Sequence, residues 1–248
     1  MEFKADGKTV YQYEMPAIGS NMYILLSERQ ALVVDPYRSQ EALNLLRLHS
    51  VQKLVMLLTH EHYDHISGVN WLRENFQTEV ICSAECAQML PDPERNMARY
   101  WNVLLMDKPQ EVQSIGKDWY DTCYACEADR TYEKETKFLW QGMRIRMRRA
   151  PGHSKGGSLI WLDENILFSG DNLVNGTGVI CRFPGGSKRE YTAVTRPILD
   201  ELPDELCVFP GHGEPGKLGE MREYMEFFGA ADREKRRTAK DPEREARQ

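Results

Sequence analysis

The sequence predicts an α/β domain built in layers, and three observations carry that prediction. Short apolar runs of strand length alternate with stretches of helical periodicity along most of the chain. The 248 residues sit at the upper end of one domain, a size that α/β domains often reach. Histidine and aspartate gather in turns next to the apolar runs, where strand ends offer rigid platforms for a site.

The N-terminal third reads as short strands with turns. Residues 21–27 and 31–35 are apolar runs separated by Glu28-Arg29-Gln30. Residues 40–49 place Ala42, Leu43, Leu46 and Leu48 at roughly helical spacing, and 54–58 follow as a buried strand. Helical periodicity returns at 69–76, with a short strand at 80–82. Residues 88–135 are less regular, with Pro91, Pro93, Pro109, many charges and several aromatics. They predict an insertion with one helix near 96–106. Strand signals resume at 143–147, where Met143, Ile145 and Met147 alternate with arginine, then at 158–162 and 166–168. A last apolar strand at 206–209 precedes a helix at 221–228. The stretch 232–248 is nearly all charge and reads as a frayed helix or disorder. The expected organisation is one domain over 1–231, with the insertion at 88–135 and a charged tail over 232–248.

A hydrophobic fraction of 41% and five tryptophans can fill a sizeable core. The formal net charge of −6 argues against a nucleic-acid backbone as partner. No apolar run approaches membrane-spanning length. Met1-Glu2-Phe3-Lys4-Ala5-Asp6 has neither the basic nor the apolar region of a signal peptide. A cytoplasmic protein acting on a small molecule, with its six cysteines reduced, is expected.

The densest chemistry is His60-Glu61-His62-Tyr63-Asp64-His65, directly after the apolar run 54–58. His153, Asp171 and His212 follow in Gly-containing turns, so five of the six histidines lie in these motifs. Imidazole and carboxylate are ligands for zinc and similar divalent metals. Seven donors (His60, His62, Asp64, His65, His153, Asp171 and His212) are enough for two ions, which points to a hydrolase. In an extended or tightly looped backbone His60 and His62 face one way. Asp64 and His65 need a turn to join a second ion. Glu61 and Tyr63 are expected to face away, with Glu61 solvated or supporting the ligands from behind. His49 lies outside the motifs. His-Glu-x-x-His is absent, which excludes that class of metalloprotease.

His-x-His-x-Asp-His with the later His153, Asp171 and His212 resembles the metallo-β-lactamase superfamily, from about residue 21 to 228 apart from 88–135. The resemblance implies an αββα sandwich of two mixed sheets flanked by helices, with metals at one edge. It implies His60, His62 and His153 on one metal, Asp64, His65 and His212 on the other, and Asp171 between them. Asp35, in Val33-Val34-Asp35-Pro36, matches a carboxylate that supports the metal loop. From the residues alone it is equally a turn-forming Asp before Pro. Ser169-Gly170-Asp171-Asn172-Leu173, Phe183-Pro184-Gly185-Gly186-Ser187, Leu202-Pro203-Asp204 and Phe209-Pro210-Gly211-His212-Gly213 are similar to the small relatives of hydroxyacylglutathione hydrolase, or glyoxalase II. That likeness implies two Zn2+ (alternatives Fe or Mn) and hydrolysis of a thioester or lactone, with Asp64 and Asp171 orienting a hydroxide. Glyoxalase II has a helical C-terminal domain for glutathione, and the stretch after His212 is too short for one, so glutathione itself is not implied. Two other readings stand beside it. One is a persulfide dioxygenase using one iron on His60, His153 and Asp171. The other is a metal-dependent phosphodiesterase.

Several features remain outside this scheme. Cys123-x-x-Cys126 with Cys82 and Cys86 contains four thiols, read as buried inert groups ahead of a metal site. Arg182, Lys188 and Arg189 either face a substrate carboxylate or form a solvated loop. Tyr191 is a packing aromatic before it is a lactone-binding hydroxyl. Trp101, Trp119, Tyr120 and Tyr124 form either a lid or the insertion's own core. The insertion is expected to cover the cleft and select the substrate.

Overall fold

The computed structural model describes residues 1–106, 108–114 and 120–228. The expected charged tail and Trp119 lie outside the described residues. Two mixed sheets pack face to face. The first contains β1 (Glu2–Ala5), β2 (Lys8–Glu14), β3 (Asn21–Ser27), β4 (Gln30–Val34), β5 (Lys53–Leu57), β6 (Gln77–Ser83) and β7 (Arg130–Tyr132), in that spatial order. Strands β1 to β4 form an antiparallel meander, and β4 to β7 run parallel. Parallel neighbours need crossovers, and helices supply them. These are α1 (Gln40–Leu48) before β5, then α2 (Tyr63–Ile66) and α3 (Val69–Arg73) before β6. Helices α4 (Ala84–Met89) and α5 (Trp101–Leu105) lie between β6 and β7.

The second sheet contains β8 (Glu135–Trp140), β9 (Met143–Arg149), β10 (Ser158–Leu162), β11 (Ile166–Gly170), β12 (Cys207–Pro210) and β13 (Gly216–Lys217), ordered β13-β12-β11-β10-β9-β8. Only β11 and β12 pair in parallel among these. The connection between them carries the helical turns Lys188–Glu190, Tyr191–Thr195 and Arg196–Asp200.

Alternation decides what is buried. In β9, Ile145 and Met147 point inward while the arginines between them point out. Tyr23, Leu25, Val55 and Leu57 meet Ile145, Met147, Ile160 and Phe168 in the layer between the sheets. Helices α1 to α5 cover the outer face of the first sheet. Tyr191, Ile198, Leu199 and Met221 cover that of the second. The result is the expected αββα sandwich. No helix among the described residues is long and apolar enough to cross a membrane.

Two expectations change, and one open alternative is decided. Arg130–Tyr132, inside the stretch read as an insertion, is a strand of the first sheet, pairing with β6. Three residues are too few to show a period. The helix expected over 221–228 ends earlier, in a tight turn over Arg222–Met225, and Phe227 bridges to Val179. Trp101 and Tyr124 are buried against Tyr63 rather than spread over a cleft, with ring centroids 5.1 and 5.2 Å from it. The Tyr124 hydroxyl donates to the Ile66 carbonyl at 2.8 Å, and the Asp121 amide donates to the Tyr63 hydroxyl at 2.9 Å. These groups pin α2, which carries Asp64 and His65. Tyr120 is half-buried, its hydroxyl 2.6 Å from Asn102.

Candidate metal centre

Strand ends build the site. The chain leaves β4 into Asp35, β5 into Thr59 and His60, β11 into Asp171 and β12 into His212. His153 sits in the loop between β9 and β10. All seven sequence-predicted donors therefore reach one edge of the sandwich. The ring of His60 lies 4.6 Å from that of His62, 4.3 Å from His65 and 5.0 Å from His153 between centroids. His65 Nε2 lies 3.1 Å from Asp64 Oδ2 and 3.5 Å from Asp171 Oδ1. His212 Nε2 lies 3.3 Å from Asp64 Oδ2 and 3.4 Å from Asp171 Oδ2. His153 Nε2 is 3.5 Å from Asp171 Oδ2, which places Asp171 between the two groups of imidazoles.

The far ring nitrogens are fixed. His153 Nδ1 lies 2.8 Å from the Ile180 carbonyl, and His65 Nδ1 lies 3.0 Å from Asp35 Oδ2. An imidazole facing an acceptor there carries its proton on Nδ1 and leaves Nε2 free as a donor to a cation. His60 Nδ1 lies 3.0 Å from the Thr59 hydroxyl. That hydroxyl donates to Asp35 Oδ2 at 2.5 Å, so its oxygen is free to accept from His60. His62 Nδ1 faces His153 Nε2 at 3.0 Å.

The donors fit divalent cations on two counts. His60 Nε2, His62 Nε2, His65 Nε2 and Asp171 Oδ1 are buried without a hydrogen-bond partner among the described residues, and such orphans call for an explanation. In addition, the ligand atoms of His60, His62 and His153, and those of Asp64, His65 and His212, lie within 4.8 Å of one another. Asp35 is near enough to His60 and His65 to form a third such group, but its oxygens already accept from Thr59 and His65. Electrostatics agree. Burial and neighbouring imidazoles push His60 well below the ordinary histidine pKa and His62 down to about 3. Burial opposes ionisation of Asp64 and Asp171, yet the surrounding histidines outweigh it and hold both well below the carboxylate range. Burial also opposes charge on His65 and His212, and the two carboxylates outweigh it there, raising His212 to about 10. Two buried anions thus demand positive charge, which protons on histidine or a divalent cation can meet.

Two glycines allow the crowding. A Cβ at Gly211 would collide with the Asp171 carboxylate, and one at Gly170, whose φ is +52°, would meet the Thr59 side chain.

Sequence reasoning missed several supports. Asn172 accepts from the His153 amide at 3.2 Å and donates to the Ala150 carbonyl at 2.7 Å, holding the His153 turn. Its place beside Asp171 was the available signal. Glu61 does face away from the donors, but it is fully buried rather than solvated. The Ser154 hydroxyl donates to its Oε2 at 3.1 Å, and its Oε1 has no partner among the described residues. Gly156 makes room for it, since a Cβ there would collide with Glu61 Oε2. Burial pushes its carboxyl up to about 7.

A cleft of about 370 Å³ opens over the donors. Ile18, Met97, Leu104, Val174, Ile180 and Phe183 supply much of its apolar wall. Arg182, Lys188 and Arg189 are exposed and do not line it. Arg182 lies over the Phe183 and Phe228 rings, and Lys188 lies over Phe227. Tyr191 is buried, its hydroxyl donating to the Asn172 carbonyl at 3.1 Å. Cys82, Cys86 and Cys126 are buried in the core while Cys123 is exposed, so the four thiols do not form one site.

A sandwich of two mixed sheets with this imidazole and carboxylate set on one edge forms a candidate centre for divalent metal ions. The family model described as Metallo-beta-lactamase superfamily matches residues 15–212, and the chain belongs to that superfamily. It is 27% identical to a hydroxyacylglutathione hydrolase of Glaesserella parasuis, over 80% of this chain and 68% of the relative. It is 25% identical to the hydroxyacylglutathione hydrolase GloC of Haemophilus influenzae, over 82% of this chain and 89% of the relative. Among solved structures, the B3 metallo-beta-lactamase BLEG-1 aligns with a TM-score of 0.70 and 27% identity, over 86% of this chain and 96% of its own.

The buried Glu61 gives a pH signature. Its folded pKa of about 7 exceeds the ordinary 4.5, so the stability it allows is present below about 4.5 and lost as pH rises through about 7. In metal-free protein, wild type should lose about 2–3 kcal/mol relative to Glu61→Gln between pH 5 and 8, at about 1.36 kcal/mol per unit. Denaturant melts at both pH values measure this. A constant difference would show that Glu61 does not titrate in this range.

Proposed function

We propose that this protein is a dinuclear metal hydrolase that cleaves an ester-like carbonyl, a thioester or a lactone. The convergence of two imidazole-rich donor groups on the carboxylate of Asp171 carries this reading. The donor set suits Zn2+, with Fe or Mn as alternatives. His60, His62 and His153 would hold one ion, and Asp64, His65 and His212 the other, with Asp171 between them. Bound there, two cations supply Lewis acidity and a hydroxide nucleophile at neutral pH.

The chain's own residues do the rest. Asp64 and Asp171 stay anionic and line the floor of the cleft, where the two carboxylates would orient the attacking oxygen and accept its proton. His60, His65 and His153 are locked by their far nitrogens, so the donors need little reorganisation. The apolar walls hold an acyl chain and exclude water. A thiolate leaves with a pKa near ~8.5 and needs little acid assistance, which matches a cleft whose described lining adds no carboxylic acid beyond Asp64 and Asp171. Relatives named hydroxyacylglutathione hydrolase support the thioester reading.

Elemental analysis of purified protein should find close to two divalent ions per chain, and Asp171→Ala should lose at least one. A single iron in active protein would favour the mononuclear dioxygenase reading instead. On a panel of substrates, thioester or lactone hydrolysis should exceed phosphodiester cleavage by at least about tenfold in kcat/KM, roughly 1.4 kcal/mol in barrier. Preference for bis(p-nitrophenyl) phosphate would make the enzyme a phosphodiesterase.

A further inference from the structure

The cleft contains one charge that the metal chemistry does not use. Among the described residues, Lys108 is the only charged side chain lining it apart from the histidines and aspartates of the floor. It is exposed and makes no ion pair with any described residue. Its backbone is nonetheless tied down. The Lys108 amide donates to the Leu105 carbonyl at 3.0 Å, and its carbonyl accepts from Gln113 Nε2 at 2.8 Å. The neighbouring wall is also built firmly. Met97 holds a left-handed φ of 70°, an unfavourable conformation for a side chain of this kind. The Asn96 side chain fixes that turn, donating to the Leu90 and Tyr124 carbonyls and accepting from the Ala98 amide, each at 2.9 Å. The segment therefore presents Met97, Leu104 and Lys108 to the same cleft as the donors.

We propose that Lys108 is the anion-binding group of this cleft, and that the substrate carries a carboxylate set apart from its scissile carbonyl by an apolar segment. The proposal rests on the hydrolase reading of the same site. An ammonium is a compact point charge, and a single carboxylate matches its charge without needing the two-pronged geometry that arginine offers. Arg182, Lys188 and Arg189 lie against ring faces or solvent outside the cleft, so they do not compete for this anion. Met97 and Leu104 on one side, with Ile180 and Phe183 also lining the cleft, give an apolar segment somewhere to lie.

The carboxylate can belong to the acyl half or to the thiol half, and two pairs of thioesters separate these. The first pair is S-adipoyl- and S-hexanoyl-N-acetylcysteamine. The second is the acetyl thioesters of mercaptopropionate and N-acetylcysteamine. In metal-loaded wild type, the anionic member of one pair should be preferred by roughly fivefold or more in kcat/KM, mainly through KM. Lys108→Met should bring that ratio near one and Lys108→Glu should invert it, with metal content unchanged in both. Calorimetric titration with the thioether analogues of the same compounds reads binding without turnover. If no thioester is hydrolysed but the anionic thioether binds more tightly and Lys108→Glu abolishes the difference, the carboxylate subsite stands and the reaction class falls. Equal binding within both pairs, or a preference that survives Lys108→Glu, overturns the proposal.

Discussion

The site depends on one carboxylate that touches no substrate. Asp35 Oδ1 accepts from the Thr59 amide at 2.7 Å, and Oδ2 accepts from the Thr59 hydroxyl and from His65 Nδ1. Through Thr59 it also fixes His60. It makes these contacts from a left-handed backbone, with Asp35 at a φ of 52°. Such a residue outside glycine costs on the order of 1 kcal/mol and persists only where its surroundings over-determine it. Aspartate is among the few residues that tolerate the conformation. Burial pushes its carboxyl pKa up, and the hydrogen bonds from His65 and Thr59 work against that rise. The carboxylate at the end of β4 therefore orients donors that arrive on β5 and α2.

The same edge is where the two sheets are joined. The Ser158 amide at the start of β10 donates to the Thr59 carbonyl at 2.7 Å. Asn21 and Tyr23 of β3 hold the His212 loop, with the Asn21 amide on the Gly211 carbonyl and the Tyr23 hydroxyl on the Pro210 carbonyl, both at 2.7 Å. Hydrophobic packing between the sheets has no direction, whereas these hydrogen bonds set the position of one sheet's donors against the other's. Asp171 follows β11 and His212 follows β12, so the register of that parallel pair sets the one donor against the other. The tolerance is small, since Gly211 leaves no room for a Cβ beside Asp171.

Much of this was legible in the residues. The donors stand in glycine-marked turns after apolar runs, and the strands expected at 21–27 and 158–162 have those bounds in the structure. Local pattern fails where the deciding partner is distant. Glu61 alternates with ligands, which correctly turned it away from them, but only the Ser154 to Gly157 loop decides that its other face is buried. The strand β7 is three residues long and takes its identity from pairing with β6. Trp101 and Tyr124 read with equal force as a lid or as the insertion's own core, and packing on Tyr63 puts both into the core over the first sheet. Lys108 stood in an irregular stretch with no motif around it, and its role follows from which wall that stretch forms.

The account turns on Asp35 acting through the histidines it orients. The direct measurement is the zinc-binding isotherm of Asp35→Asn against wild type, with circular dichroism to confirm that both remain folded. Asparagine keeps the shape and the bond from the Thr59 amide but loses the anion that fixes the proton on His65 Nδ1. The predicted result is a loss of affinity of about 10–100-fold, the usual scale for groups that support metal ligands. A folded Asp35→Asn protein that binds zinc as tightly as wild type would contradict the account.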